Sequence, residues 1–122
     1  MNGRCLCGGV VFEVDADTSR MRFCHCTSCK KLSGGGGTAN VRVRSTDVRV
    51  LDGRDLLTTY QPDEGSAKTF CSRCGSNMFG GGWPESEFCS VRVTTFDEQP
   101  GAVEAQHLFV DSVASWEEGP PG

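Results

Sequence analysis

Apolar residues recur at every second position along this chain. Val10, Phe12 and Val14 alternate with Val11, Glu13 and Asp15; Val41 and Val43 alternate with Arg42 and Arg44; Val48 and Val50 alternate with Arg49 and Leu51. A period of two is the signature of strands with one buried face, because successive side chains of an extended chain point to opposite sides. Further short strands are predicted over residues 57–60, 68–70, 77–80, 88–93 and 107–110, separated by turn residues. Asp52-Gly53 reads as a hairpin turn, since both central residues of a type I′ turn need positive φ. Residues 27–32 are the one stretch that predicts a helical turn. The ends, Met1-Asn2 and Gly119-Pro120-Pro121-Gly122, are expected to fray. The fold class is mainly β, with small antiparallel sheets and minimal helix.

Composition adds a constraint that the pattern lacks. The chain has 122 residues, with 37% hydrophobic residues, sixteen glycines and eight cysteines. That is one domain, residues 1–122, with a thin core. Seven of the cysteines form three tight clusters: Cys5-Leu6-Cys7, Cys24-His25-Cys26-Thr27-Ser28-Cys29 and Cys71-Ser72-Arg73-Cys74. Such spacings bring several thiolates to one point, which is the pattern of zinc ligands. The competing reading is a disulfide scaffold, which belongs to oxidising compartments. The start, Met1-Asn2-Gly3-Arg4-Cys5, shows no apolar stretch with a small-residue cleavage site, so a reducing cytoplasm is expected and the thiols are read as metal ligands. Zinc binding then supplies part of the folding free energy. The formal net charge of -4 disfavours nucleic-acid or anionic-membrane partners, and no apolar run approaches the roughly 18 residues of a membrane span.

The count of cysteines matters as much as the motif. A closed structural zinc takes four protein ligands, so seven cysteines complete one site and leave three, and three protein ligands suit a catalytic zinc. In an extended segment C-x-C sets Cys5 with Cys7, and Cys24 with Cys26, on one face each, which turns Leu6 and His25 away. His25 is therefore read as a non-ligand.

These motifs carry a resemblance. Gly3-Arg4-Cys5-Leu6-Cys7-Gly8-Gly9-Val10, Cys24-His25-Cys26-Thr27-Ser28-Cys29-Lys30-Lys31, Phe70-Cys71-Ser72-Arg73-Cys74-Gly75-Ser76 and the late His107-Leu108-Phe109-Val110 with Trp116 resemble the glutathione-dependent formaldehyde-activating enzyme family, also called GFA or CENP-V/GFA. The resemblance runs nearly end to end and implies a β-tent fold. It also implies two Zn²⁺ sites: a structural one held by Cys5, Cys7, Cys71 and Cys74, and a catalytic one held by Cys24, Cys26 and Cys29. The implied activity is that of a carbon-sulfur lyase acting on a thiol-aldehyde adduct such as S-(hydroxymethyl)glutathione, with a small-molecule thiol and aldehyde as partners.

The donor chemistry points the same way. Three thiolates around zinc make a soft, electron-rich site that favours a fourth sulfur over a hard oxygen. Glutathione carries carboxylates, so Lys30 and Lys31, directly after Cys29, are the candidate substrate-binding cations. The Gly34-Gly35-Gly36-Gly37 run reads as a lip of the site or a flexible connection, and His107 as a proton donor or a satisfied polar residue. Trp116 is expected to cover the core. Cys89 is read as a small apolar side chain in a strand. If it instead reached the second zinc, the chain would be a structural zinc module that binds a partner; an exposed Cys89 of lowered pKa would open a thiol redox reading.

Overall fold

The computed structural model describes residues 1–99 and 104–117. Ten strands form two sheets, with one α-helix among the described residues. The smaller sheet has the order β1-β2-β5, built from β1 (Asn2–Arg4), β2 (Val11–Val14) and β5 (Val48–Asp52). The larger sheet, in spatial order, contains β10 (Glu104–Leu108), β3 (Arg20–Cys24), β4 (Thr38–Arg44), β9 (Phe88–Arg92), β8 (Asn77–Gly80), β7 (Lys68–Cys71) and β6 (Leu57–Tyr60). All pairings are antiparallel except β10 with β3, which runs parallel from Glu104 opposite Arg20 to Leu108 opposite Cys24. Helix α1 (Thr27–Ser33) connects β3 to β4.

The period-two valines meet in the middle. Phe12 from the small sheet sets its ring edge-on to Phe79 of the large sheet at 5.2 Å, and Phe79 packs on Trp83 at 4.8 Å. Val10, Phe12, Val41, Val91, Met78 and Phe79 are fully buried around this contact. The main driving force is the removal of these apolar side chains from water, at about 1.5–3 kcal/mol for each large one.

Several local expectations are corrected. Asp52-Gly53 does not close a hairpin, because β5 and β6 lie in different sheets; Gly53, at φ 77°, opens a 3₁₀ turn over Arg54–Leu56 that carries the chain across. The N-terminus does not fray, since β1 pairs with β2 and the Met1 ammonium donates to the Val14 carbonyl at 3.1 Å. The C-terminal Gly119–Gly122 expectation lies outside the described residues. The last strand comes earlier than predicted: the chain leaves β10 after Leu108, and Phe109 takes φ 56° at the head of a 3₁₀ turn over Val110–Ser112. Trp116 is 72% exposed and covers no core; the buried tryptophan is Trp83. No helix among the described residues is long and apolar enough to cross a membrane.

Candidate metal centres and a neighbouring cavity

The first and last cysteine pairs converge from opposite sheets. Cys5 and Cys7 follow β1, while Cys71 ends β7 and Cys74 closes the turn that leads to β8. Their four sulfurs lie within 4.8 Å of one another. Cys5 and Cys7 Sγ are 3.5 Å apart, and Cys7 and Cys71 Sγ 3.9 Å. A tetrahedral zinc with bonds of about 2.3 Å separates its sulfurs by about 3.8 Å, so the donors already stand at the spacing this metal requires. They are far outside the roughly 2.05 Å of a disulfide.

The surroundings favour thiolate at this cluster. The amide of Val10 donates to Cys5 Sγ at 3.3 Å, and Arg73 Nε donates to Cys7 Sγ at 3.2 Å. The Gly9 amide, followed by Arg73, holds the Cys7 thiol below its ordinary range. Hydrogen bonds from the Ser76 hydroxyl and amide bring Cys74 down to about 5. Cys71 is pushed up by burial. A cation at the centre offsets the mutual repulsion of four such groups.

The second cluster is local. Cys24 ends β3, Cys26 caps α1 and Cys29 lies in its first turn, with the Cys26 sulfur accepting from the Cys29 amide at 3.4 Å. The three sulfurs lie within 4.8 Å of one another. Burial pushes Cys24 up to about 12. Burial also opposes ionisation of Cys26, but the amide of Cys29 and the neighbouring thiols outweigh it and bring Cys26 down. Both clusters can bind metal ions, and all-sulfur donor sets of this size are consistent with zinc.

The other candidates fall elsewhere. His25 is buried, with Nε2 and His107 Nδ1 sharing a hydrogen bond of 2.9 Å and the two rings stacked. His25 joins neither sulfur cluster. Cys89 is 2% exposed in the core opposite Val43 and lies outside both clusters, which removes it from the ligand sets, and burial pushes its thiol up, which does not suit a reactive thiolate. Lys30 Nζ donates to the Ser112 carbonyl, which ties α1 to the C-terminal segment, and Lys31 is exposed. The glycine run is committed rather than loose: Gly34 caps α1, and Gly37, at φ 152°, lies so close to the Cys24 carbonyl that any Cβ would collide with it.

A cavity of about 400 Å³ opens beside Cys5 and extends to Gly37 and Thr38, and no cysteine of the second cluster lines it. Cys5, Leu6 and Ser76 line the end near the four-cysteine cluster, and Phe23, Gly37 and Thr38 the end near the three-cysteine cluster. Thr38 is the strand partner of Cys24. Arg92 forms part of the wall and was not singled out by the sequence. Its place in β9 gives it the same parity as Phe88 and Ser90, which reads as an outward face, yet it is 5% exposed. Burial pulls its guanidinium down from its usual range, against the field of the Cys29, Cys24 and Cys26 thiols.

Residues 1–112 match the family model of the glutathione-dependent formaldehyde-activating enzyme. A Halomonas elongata protein named "Putative glutathione-dependent formaldehyde-activating enzyme" is 30% identical over 128 aligned positions, which cover 97% of this chain and 80% of that one. A crystal structure of a Rhodobacter sphaeroides protein superposes with a TM-score of 0.68 at 27% identity, covering 87% of this chain and 100% of that one. The chain belongs to the glutathione-dependent formaldehyde-activating enzyme family.

Proposed function

We propose that this protein is a zinc-dependent carbon-sulfur lyase-type enzyme acting on a thiol-aldehyde adduct such as S-(hydroxymethyl)glutathione, as a single unit over residues 1–122 in the reducing cytoplasm. The observation that carries the reading is the difference between the two sulfur clusters. Cys5, Cys7, Cys71 and Cys74 supply a full tetrahedral set, whereas Cys24, Cys26 and Cys29 supply three donors, with Cys89 in the core and His25 turned to His107. In this reading the first set holds a structural zinc and the second a catalytic one. Zinc bound by three cysteines supplies a soft Lewis acid that lowers the pKa of an incoming thiol to neutral pH.

The chain's own residues set the conditions for the reaction. Cys24 and Cys29 are buried, which limits water at their sulfurs, while Cys26 is half-buried. In the adduct-forming direction the thiol sulfur bonds to the aldehyde carbon, the carbonyl pair moves to oxygen, and that oxygen takes the proton the thiol has lost; the reverse direction breaks the same C–S bond. Lys30 is engaged by Ser112, so Lys31 is the freer of the two proposed substrate-binding lysines. The test is the exchange rate between glutathione plus formaldehyde and their adduct, followed by NMR. Zinc-loaded protein accelerates that exchange, and loss of Cys26 removes the acceleration. An exchange rate equal to the uncatalysed one overturns the proposal.

A further inference from the structure

Strand register links one buried cation to the three-cysteine cluster. Arg92 of β9 stands opposite Asn40 of β4, Thr38 lies two residues back on the same face of β4, and Cys24 of β3 stands opposite Thr38. The hydrogen bonds follow that line. Arg92 Nη1 donates to Asn40 Oδ1 and, at 3.3 Å, to Thr38 Oγ1, while Asn40 Nδ2 donates to the Thr38 hydroxyl at 3.0 Å and to its carbonyl at 3.2 Å. On the far side, Arg92 Nε donates to Asn77 Oδ1. Nη2 is buried without a partner against Gly80, where an added Cβ would stand 2.9 Å from it, so the bare glycine leaves the space that the guanidinium fills.

Every acceptor in this network is neutral. Among the described residues Arg4, Arg44 and Arg49 each pair with a carboxylate, and Arg92, only 5% exposed, pairs with none. A guanidinium buried without a charge of opposite sign is costly. Burial favours loss of its charge, and the field of the Cys29, Cys24 and Cys26 thiols opposes that loss. Three thiolates around a divalent metal leave a net charge of about -1, and a fourth thiolate makes it about -2. A cation fixed in the interior offsets that charge without taking a coordination position.

We propose that Arg92 is the built-in counter-ion of the three-cysteine metal site, a positioning residue whose charge stabilises the metal on Cys24, Cys26 and Cys29 and offsets the charge that a fourth sulfur adds. The inference rests on the reading of these cysteines as metal ligands under the function proposed above. Charge, rather than shape, is the property the site uses. Asn40 fits this role, because a neutral acceptor orients the guanidinium and leaves its charge to the sulfurs, whereas a carboxylate at the same place would grip the guanidinium and cancel that charge.

Chelator competition on the cobalt-loaded full chain, followed by thiolate-to-cobalt absorption, reads the affinity of each site. Arg92→Met lowers that of the three-cysteine site at least tenfold and leaves the four-cysteine site within twofold, and Arg92→Lys returns to within threefold of wild type. Asn40→Asp adds a carboxylate of the same shape and lowers the affinity at least threefold, although a merely structural Arg92 would be held more firmly there and cost the metal nothing. At saturating cobalt, Arg92→Met binds 2-mercaptoethanol at least fivefold more weakly than wild type. Should Arg92→Met fail to fold, Asn40→Asp and Arg92→Lys carry the test. The inference is overturned if metal affinity at the three-cysteine site is indifferent to the charge changes, if both sites weaken alike, or if Arg92→Lys recovers nothing. One metal per wild-type chain overturns the metal reading and this inference with it; two metals indifferent to Arg92 and Asn40 overturn this inference alone. Arg92-dependent metal affinity with no response to 2-mercaptoethanol in wild type supports the counter-ion and overturns the sulfur chemistry instead.

Discussion

Replacing Cys74 and replacing Cys26 should have opposite consequences, although the two side chains are alike in burial. Cys74 belongs to a cluster whose halves are 64 residues or more apart in sequence and come from different sheets. A structural zinc contributes about 10–16 kcal/mol in small domains, against a total stability of about 5–15 kcal/mol, so removing one of its four ligands takes away an amount comparable to the whole. Cys26 belongs to a cluster spanning one short loop and the first turn of α1. Its loss costs the helix its N-cap, about 1 kcal/mol, and the local metal. Serine can replace the cap but holds zinc poorly. Cys26→Ser is therefore expected to fold with one zinc, Cys26→Ala to fold about 1 kcal/mol less stably, and Cys74→Ser to yield no cooperatively folded protein. Circular dichroism melts with zinc analysis on the same samples decide it. The reasoning is refuted if Cys26→Ser unfolds as completely as Cys74→Ser, or if Cys74→Ser melts within a few degrees of wild type.

Gly37→Ala should lower zinc content at the three-cysteine site, because the added Cβ meets the Cys24 carbonyl; unchanged metal content would show that β4 can shift away. Cys89→Ala should cost about 1–2 kcal/mol in denaturant unfolding and leave metal content untouched, and loss of one zinc would return Cys89 to the ligand set. Arg4, donating to Asp97 at 2.9 Å, holds that carboxyl below its ordinary value of about 3.8. The folded pKa is the depressed one, so the pair's stabilisation is present above the unfolded value and is lost as pH falls through the folded one. An NMR titration should put the Asp97 midpoint below 3.8, and a midpoint at or above it would remove the pair from the account.

What could be read before the structure was local in sequence. The C-x-C and C-x-x-C spacings bring their own sulfurs together with little help from the rest of the chain, and the alternating valines of β2, β4 and β5 declare their buried face. What could not be read was set by distant partners. Strand β3 hides because Arg20 and Arg22 flank Met21 and Phe23, which are only half-buried. Its parallel pairing with β10 joins residues more than eighty positions apart. Arg92 shares its parity with Phe88 and Ser90; the same face is open to solvent at Arg44 and closed at Asn40 and Thr38, so no period reports where it dives beneath the cavity. Trp116 and Phe109, both large and apolar, are exposed, against the usual assignment of aromatic residues to a core.

The central claim is that the three-cysteine cluster holds a metal able to accept a substrate sulfur, and its most direct measurement is the visible spectrum of cobalt-substituted protein during a glutathione titration. Thiolate-to-cobalt charge-transfer absorption should rise saturably as a fourth sulfur joins Cys24, Cys26 and Cys29, shift again when formaldehyde is added, and disappear in Cys26→Ser, which retains the other metal. A spectrum indifferent to glutathione in wild type, with four-sulfur absorption already complete at both sites, would contradict the claim and identify both clusters as closed structural centres.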